Sequence, residues 1–478
     1  MKPSLIPLPK ELRYTGGRSA LRDDCPVTVT DAPELPEESY TLQIKNGAVQ
    51  ISASSEAGLF YANATFMQIK ATCGGVCDDL VVRDEPALRY RGFLIDSCRH
   101  FYGAEELKRL LDAAAQFKLN RFHWHLTDDQ GWRIEIKRYP MLTEVGGYRS
   151  NSRFGGVDEQ TPHAGFFTQA QIREIVDYCA ERSIEVIPEI DMPGHFTAAI
   201  AAYPFLGCTG ERIEPTQKEG IFPNVLCVGN DEAISFVKNV LDEVCDLFPG
   251  KHIHIGGDEA PRAHWKSCEK CTEKMKRLGI ADYDALQGGF MKEIASFLRE
   301  KGKTAITWNE SLKGGVLSPA DVTVQRWMDR KNICRAFAQA GGEWIESDFY
   351  HYYFDYPYGM TPLKKTFAYD PFKACGDRPP VGVEGALWTE FVRSFDDLCE
   401  KLFPRLLVIA EKGWSGSDSR RYPDFYAAVC ALLRTVPLKT LPPGRWDPRV
   451  SARLKEVKKF FRGSLSSETL RQALDSRK

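Results

Sequence analysis

The sequence lacks a dominant charge. Its 478 residues carry 63 Lys and Arg against 65 Asp and Glu, a formal net charge of −2. No global field therefore draws the protein to nucleic acid or to an anionic membrane. It also lacks an apolar run long enough to cross a bilayer. The opening, Met1-Lys2-Pro3-Ser4-Leu5-Ile6-Pro7, has no apolar stretch of the kind a secretory leader needs. That predicts a cytoplasmic protein, or a periplasmic or secreted one whose leader has been removed. No Walker-type or Rossmann-type glycine fingerprint is present, so no cofactor is expected. Internal repeats and low-complexity segments are missing too.

The 14 cysteines form no compact disulfide framework. Cys179, Cys245, Cys399 and Cys430 lie within apolar patterns, where reduced cysteine acts as a small core residue; this favours a reducing compartment. Cys73/Cys77 and Cys268/Cys271 are close pairs. Cys268-x-x-Cys271 has metal-ligand spacing with His264 nearby, but no second pair follows at zinc-finger spacing. A thiol pair at a helix start is the preferred reading, and no residue is assigned to a metal.

What is present reads as globular: hydrophobic content is 43% and charged content 27%, over a length that allows more than one domain. Residues 1–88 predict a small α+β unit. Tyr40–Ile44 and Ala48–Ala53 alternate with period two around Asn46-Gly47, a hairpin signal, and Gly58–Ile69 reads as a helix. From residue 89 to about 420, strand and helix patterns alternate. Strands are expected at Gly92–Asp96, Arg121–Leu126, Glu185–Ile190, His252–Ile255, Thr304–Trp308, Val322–Trp327, Trp344–Phe349 and Gly382–Trp388. Helices are expected at Glu105–Phe117, Gln169–Arg182, Glu232–Leu247, Tyr283–Leu298, Lys331–Ala340 and Phe395–Glu411, with the fifth and seventh connections degraded. Eight such units predict an α/β fold, a (βα)8 TIM barrel, with a doubly wound sheet as the alternative. Gly146–Phe167 reads as a long loop at the barrel mouth, and residues 421–478 as a helical, basic extension.

In such a barrel, chemistry sits just past the carboxyl ends of the strands. There the sequence places Asp96, Arg99 and His100; His123, His125, Asp128 and Asp129; Glu189, Asp191 and His195; Asp258 and Glu259; Trp308 and Glu310; Arg326 and Trp327; Tyr352, Tyr353 and Asp355; and Trp388 and Glu390. Carboxylates with arginine hold vicinal hydroxyls, and tryptophan faces cover the apolar side of a pyranose. The run His252-Ile-His-Ile-Gly-Gly-Asp-Glu259 reads as a buried strand that delivers two acids. Alternation along a strand would send Asp258 and Glu259 to opposite sides, for two different tasks.

Arg91–Phe101, His123–Trp132, Asp191–His195, His254–Glu259 and Trp388–Glu390 resemble, in order and spacing, the family 20 glycoside hydrolases, the β-N-acetylhexosaminidases. Ile6-Pro7-Leu8-Pro9 is similar to the opening of that family's non-catalytic α+β domain. The resemblance implies an exo-acting, retaining hydrolase of terminal β-linked N-acetylglucosamine or N-acetylgalactosamine. In it the substrate's acetamido oxygen is the nucleophile and an oxazolinium ion the intermediate. It implies Glu259 as general acid and base, ionised Asp258 holding the acetamido N–H, and Tyr353 aiming the acetamido oxygen. Trp308, Trp327 and Trp388 would wall the acetyl methyl, and Arg99, Asp355 and Glu390 would grip hydroxyls. Asp128 and His195 would support Glu259. Tyr352 is the alternative to Tyr353. Glu384 and Arg326 depart from the pattern, and Tyr358–Lys365 is shorter than usual.

The implied partners are oligosaccharide or glycan non-reducing ends, with neither nucleic acid nor membrane. The sequence fixes no oligomeric state, a homodimer being one candidate. Two other readings stay open. One is a metal-dependent amidohydrolase-type barrel using His123, His125, His195, His252 or His254 and Asp258. The other is an amino-sugar-binding protein without catalysis.

Overall fold

The computed structural model describes residues 2–417 and 419–464. The helical reading of residues 465–478 lies outside the described residues. Strands β1 (Glu11–Ala20), β2 (Val27–Asp31), β3 (Tyr40–Lys45), β4 (Ala48–Ala53) and β5 (Val76–Asp84) form one sheet in the order β1-β5-β3-β4-β2. The Asn46-Gly47 turn sets the β3–β4 register, Lys45 opposite Ala48. Helix α1 (Glu56–Cys73) starts where the Ser55 side chain accepts the Gly58 N–H. Its Tyr61, Phe66 and Ile69 pack on Leu42, Ile44, Val49 and Ile51 of the sheet. Trp414 from the second unit enters this core and donates its indole N–H to Asp84 at 2.8 Å.

Strands β6 (Tyr90–Asp96), β7 (Arg121–His125), β8 (Glu185–Glu189), β9 (His252–His254), β10 (Thr304–Trp308), β11 (Thr323–Arg326), β12 (Trp344–Glu346) and β13 (Gly382–Leu387) close into a parallel barrel. Every residue of β6 and β13 is buried, as strands covered on both faces require. The interior is filled in layers from alternate strands. Tyr90, Ile187, Ile306 and Ile345 form an apolar layer from β6, β8, β10 and β12. The other four strands supply a polar one: His123, His254, Gln325 and Glu384.

Around the barrel lie α2 (Ala104–Ala115), α3 (Gln169–Ala180), α4 (Asp231–Leu247), α5 (Glu269–Leu278), α6 (Tyr283–Glu300), α7 (Ile333–Gln339), α8 (Phe395–Leu402) and α9 (Arg405–Ser415), followed by α10 (Tyr422–Leu432) and α11 (Val450–Ser464). The fifth connection carries only a 3-10 turn, Asn309–Leu312, and the seventh only short pieces, the helices Phe349–Tyr352 and Leu363–Ala368 and the 3-10 turn Pro371–Lys373. Among the described residues no helix is long and apolar enough to cross a membrane.

Three expectations are corrected. The single helix expected at Phe395–Glu411 is two, broken at Phe403-Pro404, because proline has no N–H and bars helical backbone before it. The strand expected to reach Phe349 stops at Glu346, and Asp348 then caps a short helix, Phe349–Tyr352, by accepting the Tyr350 N–H. Within Gly146–Phe167 two small ribbons form, Tyr148–Arg149 with His163–Ala164 and Arg153–Phe154 with Val157–Asp158.

Candidate active site

Strand β9 ends at His254, so Asp258 and Glu259 lie in the loop beyond it rather than on the strand. This corrects the expectation that strand alternation separates them. Gly256 and Gly257 have φ of 63° and 105°, and Glu259 itself is left-handed at 41°. A Cβ on Gly256 would stand 1.6 Å from the Asp191 carboxylate, so only glycine lets the chain turn there. The turn brings both acids to one histidine: His195 Nε2 is 3.9 Å from Asp258 Oδ2 and 3.7 Å from Glu259 Oε2. His195 and Glu259 both hold left-handed backbone, which a non-glycine residue adopts at a cost.

The acids that orient His195 come from the loop after β7. Its Nδ1 lies 3.2 Å from Asp128 and 3.3 Å from Asp129. Burial opposes its charge, but Asp128, Asp129 and Glu259 hold the imidazolium well above the usual histidine range. Asp128 is buried as well, yet Arg99, His195 and His125 hold its carboxyl far below the usual range. Asp258 differs. Its side chain is 13% exposed and its Oδ1 has no protein donor. Burial, then the nearby Glu259, Glu189 and Glu310 against an opposing His195, pushes it up to about 7. The expectation of an ionised Asp258 therefore needs a donor supplied by the ligand.

Beside these acids is an aromatic cluster. Trp308, Trp327 and Tyr353 are buried with Leu94 and Ala386, and Trp388 and Phe349 pack on them. Trp308 is fixed by its indole N–H donating to Glu189 at 2.8 Å. Trp327 stacks on Tyr353 at 6.1 Å, and Trp388 lies 6.2 Å from Tyr353 and 6.1 Å from Trp308. Burial first, then Asp258, keeps the Tyr353 phenol neutral, well above its usual range. Tyr352 turns instead to Tyr369. Of the two candidates, Tyr353 is the one at the site.

Arg99 closes the other side. Its Nη2 is 2.9 Å from Asp128 and 3.8 Å from Glu390, Nη1 is 3.3 Å from Asp96, and the guanidinium lies over Trp388. Asp355 is buried, its Oδ1 without a protein donor, and burial together with Glu390 pushes it to about 7. The structure thus brings Asp258, Glu259, His195, Asp128, Arg99 and Glu390 together beside Trp308, Trp327, Tyr353 and Trp388, whereas Tyr352 and Arg326 turn away. Gln130, which accepts from Arg99 Nε at 2.9 Å, and Lys401, whose ammonium donates to the Asp355 carbonyl, were not expected. No local pattern marks them, since both act through distant chain.

The histidines of the metal reading are engaged by carboxylates. His123 lies between Glu384 at 2.9 Å and Glu189 at 3.2 Å. His254 Nδ1 is 2.8 Å from Glu189, and His252 pairs with Glu185 at the start of β8. The unexpected Glu384 is therefore a buried carboxyl group with His123 as its partner. Burial opposes protonation of His123, but Glu384 and Glu189 raise it to about 9. Arg326 turns to Glu346 at 2.8 Å.

Fold and site define the class, a (βα)8 barrel of the glycoside hydrolase kind. Residues 88–417 match "Glycosyl hydrolase family 20, catalytic domain", and residues 26–84 match domain 2 of the same family. The chain belongs to glycosyl hydrolase family 20. It is 38% identical over 427 residues to a beta-hexosaminidase of Porphyromonas gingivalis, covering 84% of this chain and 53% of that protein. It is 35% identical to one of Vibrio furnissii, covering 80% and 66%. The chain thus spans between about half and two thirds of those two relatives. An Akkermansia muciniphila beta-hexosaminidase is 31% identical with 88% of both chains covered. Among solved structures, a beta-N-acetylhexosaminidase superposes with a TM-score of 0.86 at 29% identity, covering 94% of this chain and 99% of that one. The Vibrio harveyi exo beta-N-acetylglucosaminidase in complex with N-acetylglucosamine gives 0.82 at 27% identity, covering 92% and 78%.

Proposed function

We propose that the protein is an exo-acting, retaining β-N-acetylhexosaminidase that removes terminal β-linked N-acetylglucosamine, and N-acetylgalactosamine as a second substrate, from oligosaccharide ends. One observation carries this reading: Asp258 and Glu259 meet at the His195 imidazolium beside a cluster of Trp308, Trp327, Tyr353 and Trp388, and Asp258 Oδ1 there lacks a protein donor. An acetamido group satisfies each feature. Its methyl fits the aromatic walls, its N–H supplies Asp258, and its oxygen accepts from the neutral Tyr353 hydroxyl. So held, the oxygen attacks the anomeric carbon as Glu259 protonates the leaving oxygen. The C–O bond breaks, an oxazolinium ion forms, and ionised Asp258 balances its charge. Glu259, now a base, takes a proton from water, which opens the ring and restores the β-configuration.

His195, held by Asp128 and Asp129, faces both acids and keeps them in register. Arg99, Glu390 and Asp355 offer charged and acceptor groups for hydroxyls on the far side. A Streptomyces plicatus beta-hexosaminidase mutant, solved with product GlcNAc, superposes with a TM-score of 0.79 at 27% identity, which supports the sugar. The test compares aryl 2-acetamido-2-deoxy-β-glucoside and -galactoside with the plain aryl β-glucoside. Release from the two acetamido sugars alone is expected. Comparable rates on the plain glucoside would refute an internal nucleophile.

A further inference from the structure

Away from the aromatic cluster, four cysteines from three separate segments converge: Cys208, Cys227, Cys268 and Cys271, their sulfurs all within 4.8 Å of one another. We propose that they form a structural zinc site, a tetrathiolate that clips the loop after β8 to the loop after β9. Geometry is the first support. A tetrahedron with Zn–S of about 2.3 Å has S···S edges of about 3.8 Å. The Sγ separations are 3.6 Å for Cys227–Cys268, 3.8 Å for Cys227–Cys271 and 4.0 Å for Cys208–Cys271. Cys227 stands almost equally near two partners, which singles out no disulfide pairing. Three of the four cysteines are buried and Cys208 is half-buried.

The backbone around them is built to the same end. Cys268 is the N-cap residue of α5 and Cys271 lies in its first turn, so two sulfurs sit at the positive end of a helix. A Cβ on Gly229 would stand 2.3 Å from the Cys271 nitrogen, so glycine allows the Cys227 segment to lie against the helix start. Cys227 N–H donates to Leu206 at 2.7 Å, and the Trp265 indole donates to Leu226 at 2.9 Å. The clipped loops are those that carry His195 and the Asp258–Glu259 pair. They already touch at Gly194, whose Cβ would stand 2.8 Å from the Asp258 carbonyl. On binding, four thiols lose their protons to water and four Zn–S bonds form. The expected thiol pair at a helix start is present, and Cys208 and Cys227, which lie upstream and apart in the chain, join it only through the fold.

The test uses the full chain, purified under reducing conditions and measured for metal by plasma mass spectrometry. About one zinc per chain is expected, released only as a mercurial titrates the four thiols. Cobalt in its place should give thiolate charge-transfer bands and the intense visible bands of tetrahedral geometry. Cys227→Ser and Cys268→Ser should each lose the metal, while Cys399→Ser, a buried cysteine outside the cluster, should keep it. If the cysteine variants fail to fold, the wild-type stoichiometry and cobalt spectrum still decide. Overturning results are a metal-free protein whose four thiols react freely, an intact mass showing disulfides, an octahedral cobalt spectrum, or zinc retained by Cys227→Ser.

Discussion

Acidifying the solution should disable the free protein through Asp258. Burial pushes this carboxyl to about 7, and only its ionised form can accept the acetamido N–H and face the developing cation. The pH dependence of kcat/KM reports groups of the free enzyme. Its acid limb should centre near pH 7 and fall tenfold per unit below it, leaving about a hundredth of the plateau at pH 5. Substrate brings a donor to the unpartnered Oδ1, which favours the charged carboxylate. The limb in kcat should therefore lie at lower pH than the limb in kcat/KM. Asp258→Asn should abolish the limb and lower the plateau by about 10²–10³, the usual cost of losing one preorganised transition-state partner. The assay is initial rates on an aryl 2-acetamido-β-glucoside between about pH 5 and pH 9, with native fluorescence checking that the protein stays folded. A flat kcat/KM profile, or the same limb in Asp258→Asn, would refute the reasoning.

Glu259→Gln should cost about 10²–10⁴ in rate on a poor leaving group and far less on one that needs no proton, measured across a series of aryl glycosides. Glu384→Gln removes a carboxylate 2.9 Å from the buried His123 and should destabilise the fold by about 3–5 kcal/mol in denaturant titration. His123 is raised to about 9 in the fold. Its contribution is full below the unfolded pKa of about 6.5 and is lost as pH rises through the folded value. Wild-type stability should therefore decline between those values, and the decline should shrink in Glu384→Gln. Gly256→Ala sets a Cβ 1.6 Å from Asp191 in left-handed backbone. It should lower kcat/KM more than the melting temperature, since the strain falls on the turn that delivers Asp258 and Glu259.

Barrel strands were legible because each is a short apolar run with polar residues at its end. The expected range for β10, Thr304–Trp308, matches the structure. The ends failed where one residue overruled periodicity. Pro404 divides a helix whose apolar spacing runs through it, and Asp348 caps a turn where aromatics suggested more strand. Charges were legible as types and illegible as pairs. Glu384 read as an anomaly because its partners, His123, Gln325 and Tyr90, come from three other strands. Asp258 and Glu259 were recognised, but their shared orientation was not, because it depends on left-handed backbone that alternation cannot foresee. Cys208 and Cys227 carried no local signal at all.

The central claim, that the substrate supplies the nucleophile, is tested most directly by weakening that nucleophile and nothing else. Aryl β-glucosaminides carrying N-acetyl, N-fluoroacetyl, N-difluoroacetyl and N-trifluoroacetyl groups differ little in size but progressively in carbonyl basicity. Substrate-assisted attack predicts a steep fall in kcat/KM with each fluorine, whereas equal rates across the series would contradict it.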